Sequence, residues 1–147
     1  MNIVYNNINF NFKLFEEDKE WYCKTFINQF EIEIFAPNEI LSKNNVNIQL
    51  NKFTEIISLN FEKLIEKTQI WTKTLYNELG DFENEKGYFE NEIFISLKSI
   101  ENETFFIFQT EIPFHSEIDL IMDINHSYLV HFKSIYEKIF VEGITRE

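Results

Sequence analysis

Three histidines, His115, His126 and His131, fall in the stretch "FHSEIDLIMDINHSYLVHF" (Phe114–Phe132), together with Glu117, Asp119 and Asp123. Imidazoles and carboxylates in one segment are the raw material of a metal centre or an acid–base pair. Whether they can converge depends on the backbone that carries them. In "EIDLIMDI" the residues Ile118, Leu120, Met122 and Ile124 alternate with Glu117, Asp119, Ile121 and Asp123, the period of a strand with one wet face. In "SYLVHFK" Tyr128, Val130 and Phe132 alternate with Leu129, His131 and Lys133. Joined through Asn125-His126-Ser127 as a hairpin, the two strands set Asp119 across from Lys133 and His131 across from Ile121.

That reading disperses the histidines. His131 projects from a strand, His126 sits at a turn and His115 follows Pro113 at the far end. A strand advances about 3.3 Å per residue, whereas zinc needs all its ligands within about 2.0–2.2 Å of one ion. The chain has no His-x-His, no His-Glu-x-x-His and one cysteine, Cys23. Neither a metal nor another cofactor is expected. Gly-rich phosphate loops, Gly-x-Ser-x-Gly elbows and dinucleotide fingerprints are also missing from the sequence. Carboxylate pairs among 25 acidic residues carry no information by themselves.

The elements around this segment define the fold class. "NINFNFKLF" alternates Ile8, Phe10, Phe12 and Leu14 with polar residues, and "EEDKE" (Glu16–Glu20) turns the chain. "WYCKTFI" and "QFEIEIF" read as strands joined at Asn28-Gln29, ending before Pro37, which cannot donate to a ladder. Val46–Leu50 reads as one more short strand. The period then lengthens: Phe61, Leu64, Ile65, Trp71, Leu75, Tyr76 and Leu79 lie three or four apart on one face of a helix. Asn60 is its expected N-cap and Gly80 its C-cap, with Trp71, Leu75 and Leu79 in the core. "KFTEIISL" fits either element. "EIFISLKSI" and "TFFIFQT" flank "ENE" as a hairpin, the second strand apolar on both faces, and "KIFVEGI" closes the series. The expected architecture is α+β, one domain over residues 1–147, with a long helix packed on a mostly antiparallel sheet.

At 147 residues with 17 phenylalanines, the chain has enough apolar bulk for a core without staples. A lone cysteine cannot make an internal disulfide, and the opening "MNIVYNNINFNF" lacks the pattern of a secretory leader. A cytoplasmic location is expected. Thirteen basic against 25 acidic residues leave a net charge of −12. Phosphate backbones and anionic lipid are repelled by such a chain, so neither nucleic acid nor membrane is an expected partner. A basic protein is the natural complement.

The stretches "FEKLIEKTQIWTKTLYNEL", "EIFISLKSI" and "IDLIMDINHSYLVHFKSIYEKIFVEGI" together resemble small bacterial α+β domains of unknown function, several of which belong to toxin–immunity loci. The resemblance covers about the last two thirds of the chain and is one of pattern, transferring no residue. It implies a cytoplasmic, acidic immunity-type protein. The functional expectation is therefore a non-enzymatic inhibitor of a basic, nuclease-type protein, as monomer or homodimer. Its surface would combine Glu31, Glu33, Glu117, Asp119 and Asp123 with aromatic anchors Trp21, Tyr22, Tyr88 and Phe89. The alternative is an enzyme or small-ligand binder with an apolar pocket between helix and sheet, drawing on His115 or Glu111.

Overall fold

Alternating polar and apolar residues open the chain as strands. In the computed structural model, which describes residues 1–79, 91–111 and 126–147, Asn2–Tyr5 (β1) and Ile8–Asn11 (β2) form a separate antiparallel ribbon. Asn6 and Asn7 turn it with φ of 47° and 62°. Asparagine enters this left-handed region more readily than most residues, and a tight two-residue hairpin requires it. Lys13–Phe15 (β3), Glu20–Ile27 (β4) and Phe30–Pro37 (β5) continue as a meander, with Asn28 at φ 54° in the expected Asn28-Gln29 turn. A 3₁₀ turn at Asn38–Ile40 leads to the helix α1, Val46–Leu79. Glu92–Ile100 (β6), Thr104–Glu111 (β7), Ser127–Ile135 (β8) and Lys138–Arg146 (β9) follow.

Seven strands make one sheet in the order β3-β4-β5-β6-β7-β8-β9. Every neighbouring pair is antiparallel except β5–β6, which is parallel. Parallel neighbours need a crossover, and α1 lies in that connection. The architecture is α+β, with one long helix and a mostly antiparallel sheet.

Burial divides the sheet into two faces. Cys23, Ile34, Ile95, Phe108 and Val130 are register partners from β4 to β8, and all are fully buried. This inner face meets α1 through Leu50, Phe53, Ile57, Phe61 and Leu64, whose spacing of three and four keeps them on one side of the helix. Phe53 packs edge-on against Phe106 at 5.7 Å, and Phe30 against Phe61 at 5.8 Å. β7 is covered on both faces, as its sequence implied: Phe106 and Phe108 are buried on the inner face and Ile107 on the other. Among the described residues, no helix is long and apolar enough to cross a membrane.

Several local expectations are overturned. Val46–Leu50 is the first part of α1, not a strand. Five residues alternating Val, Ile and Leu also fit a helix, and here Leu50 is buried while Ile48 is 68% exposed. Gln49 donates its backbone N–H to the Asn45 carbonyl (2.9 Å), which starts the helix well before Asn60. Asn60 lies mid-helix and donates its side-chain amide to the Ile56 carbonyl (2.8 Å). Trp71 is 42% exposed instead of core; the helix turns Thr68, Thr72 and Tyr76 inward in its place. A 34-residue helix is about 51 Å long, against about 30 Å for the longest strands, so its last turns outrun the main core. Gly80 and the side chain of Leu79 lie outside the described residues.

The expected C-terminal hairpin is also corrected. His131 pairs with Ile107 and Gly143, and Lys133 with Phe105 and Phe140. Both edges of β8 are taken by β7 and β9, which supply the ladder partners of His131 and Lys133. Residues 117–124 themselves lie outside the described residues.

Candidate functional site

Strand parity decides what the outer face of the sheet displays. Glu31, Glu33 and Phe35 alternate with the buried Ile32, Ile34 and Ala36, so the same period that builds the core sends both acids and a phenyl ring outward. Across the ladder Phe35 meets Tyr22 on β4, and Glu33 meets Phe94 on β6. The rings form a connected run across four strands: Phe15–Tyr22 at 5.6 Å, Tyr22–Phe35 at 5.3 Å and Phe35–Phe94 at 6.5 Å. These are edge-to-face, tilted and stacked contacts of the kind aromatic groups favour.

Lys24 lies beside this run, between Glu31 and Glu33. It makes an ion pair with Glu31 and another with Glu33 at 3.3 Å. The Glu31 contact first, and then Glu33, push the ammonium pKa up to about 12. Burial, followed by the influence of Glu33, raises the Tyr22 phenol above its ordinary value. Glu31 also stands directly opposite Glu92 where β5 and β6 begin to pair. Like charges opposite one another weaken a sheet, so this corner holds more negative charge than its lysine neutralises.

Trp21 does not join this surface. It precedes Tyr22 on β4, so it points to the other face, where its indole N–H donates to Asn38 Oδ1 at 3.0 Å and fixes the 3₁₀ turn. Of the remaining anchors and acids, Tyr88, Phe89, Glu117, Asp119 and Asp123 lie outside the described residues, as does His115. His131 faces outward from β8 and shares a hydrogen bond with Thr145 Oγ1 (3.0 Å), while His126 Nδ1 meets Arg146 Nη2 (2.9 Å). Among the described residues, no three His, Cys, Asp or Glu side chains come together as a metal site. Glu111 is exposed at the end of β7 and accepts a hydrogen bond from Ser127 Oγ (3.4 Å).

Phe15, Phe35 and Phe94 were not singled out by sequence, although a signal was present. Phe35 has the parity of Glu31 and Glu33, and Phe94 the parity opposite to Ile93 and Ile95. A phenylalanine on the polar parity of a strand is an apolar group sent to the wet side. Cys23 is fully buried, and burial pushes its thiol up to about 11. No family model, no curated protein and no solved structure matches this chain.

Proposed function

We infer that the chain is a non-enzymatic, acidic binding protein whose outer sheet face takes a basic protein, with inhibition of a nuclease-type target as its concrete form. The observation that carries this reading is the aromatic run Phe15–Tyr22–Phe35–Phe94 beside the acidic corner of Glu31, Glu33 and Glu92. Aromatic side chains are enriched at the centre of protein interfaces, and polar groups ring them at the rim. Fixed negative charge speeds the approach of a basic partner and sets its orientation. A partner's lysine or arginine placed over Glu31 and Glu92 relieves their mutual repulsion, which gives the corner a role that sheet stability alone does not. The net charge of −12 supports the same class of partner.

The test is affinity capture from native lysate with the intact chain and with a Tyr22→Ala, Glu31→Lys double variant. The reading requires a basic protein that wild type retains, that salt releases and that the variant fails to hold. Capture that is insensitive both to salt and to the variant overturns it.

A further inference from the structure

The exposed side of α1 carries a second surface, unrelated to the outer sheet face. Ile48, Leu59 and Ile70 are 68%, 56% and 55% exposed. They are spaced eleven residues apart, three turns of helix, and so form a nearly straight line. The line faces directly away from the buried Leu50, Ile57 and Thr68. Between its members the same interval repeats the charges: Lys52 and Glu55 follow Ile48, and Lys63 and Glu66 follow Leu59.

The two charges fall on opposite flanks. At 100° per residue, Lys52 and Lys63 lie to one side of the apolar line and Glu55 and Glu66 to the other. Neighbouring contacts agree: Lys52 reaches the Glu101 carbonyl in the β6–β7 turn (3.4 Å), while the Tyr5 hydroxyl of β1 reaches Glu55 (3.5 Å). Among the described residues, these four charges make no ion pair with one another.

We propose that this stripe pairs with the same stripe of a second copy, the two helices running parallel about a two-fold axis. Two surfaces that face each other upright bring the right flank of one against the left flank of the other. Lys52 then meets the second copy's Glu55, and Lys63 its Glu66, each about 4.5 Å apart along the axis. Ile48, Leu59 and Ile70 each meet their own counterpart. An antiparallel pair would set lysine against lysine and glutamate against glutamate, so the charge pattern selects one orientation. Tyr136, 94% exposed in the β8–β9 turn, borders the same groove as Lys52 and Leu59 and widens the contact.

The experiment is sedimentation equilibrium of the full chain at about 0.15 M salt, where net-charge repulsion is screened beyond about 8 Å. A small contact of this kind predicts association on the order of 10 µM to 1 mM. Leu59→Lys is expected to weaken it at least tenfold with circular dichroism unchanged. K52E/K63E weakens it similarly, and adding E55K/E66K restores it. Oxidation of an Ile48→Cys variant links two copies in the parallel pair, whereas the antiparallel pair holds the two sites about 33 Å apart. A chain monomeric throughout, a dimer indifferent to Leu59→Lys, or cross-linking only in the I48C/I70C double variant overturns the proposal.

Discussion

Glu31 and Glu92 face each other across the first rung of the parallel β5–β6 ladder, and Lys24 reaches only the first of them from β4. Two carboxylates at one rung weaken the sheet by about 0.2–1 kcal/mol. Glu92→Lys is therefore expected to raise stability by about that amount in urea unfolding. The same change should weaken capture of a basic partner. Gain in one and loss in the other is the signature of a charge kept for binding.

The thiol of Cys23 gives a pH test. Its folded value of about 11 stands above the ordinary 9.0 because burial disfavours the thiolate. The unfolded chain therefore loses this proton first as pH rises. The stabilising contribution is complete below pH 9 and is lost as pH climbs through the folded value near 11. The slope approaches about 1.4 kcal/mol per pH unit within that window. Cys23→Ala should remove this part of the slope, measured by denaturant unfolding from pH 8 to 11. At pH 8 the native thiol should also react slowly with a thiol reagent until the protein unfolds.

Tyr136 and Glu137 turn β8 into β9 with φ of 47° and 66°, a left-handed pair that neither residue favours. Such a conformation costs about 1–2 kcal/mol per ordinary residue. Replacing the pair with Asn-Gly, which suits this turn, is expected to stabilise the protein by about 1–2 kcal/mol in chemical denaturation. With the exposed phenol gone, self-association through α1 should weaken in the same variant.

Phe106 is fully buried against Phe53, Phe108 and Phe132, with ring centroids 5.6–6.0 Å away. Phe106→Ala is expected to cost about 3–5 kcal/mol, a large share of the roughly 5–15 kcal/mol that holds an ordinary domain folded. Phe26 stands exposed on the outer face of β4. Phe26→Ala should change stability by less than about 0.5 kcal/mol. Urea midpoints of the two variants test the division of the sheet into faces.

Strand period was legible in the sequence wherever one face is wet. Glu31 and Glu33 announce β5, and Asn28-Gln29 announces its turn, because polar parity and turn chemistry act locally. The beginning of α1 was not legible: Val46, Ile48 and Leu50 satisfy both periods, and only the packing of Leu50 and Phe53 decides between them. The partner of β8 is not legible for a related reason. Alternation shows which residues face inward but not which strand lies alongside, and β7 and β9 fill both of its edges. On the outer face, Tyr22, Glu31 and Glu33 could be read from the sequence, whereas Glu92 could not. Their assembly with Phe15 and Phe94 follows from cross-strand register, which a one-dimensional pattern does not carry.

The sheet keeps sequence order throughout, yet the β5–β6 join differs in kind from the other five. The antiparallel neighbours can zip as hairpins on a timescale of microseconds, whereas joining β5 to β6 must close the whole segment that carries α1. Pairing β5 with β6, along the line where Glu31 and Glu92 face each other, is therefore expected to be the late step of folding. Glu92→Gln, which removes one of the two facing charges, should accelerate refolding measured by stopped-flow mixing.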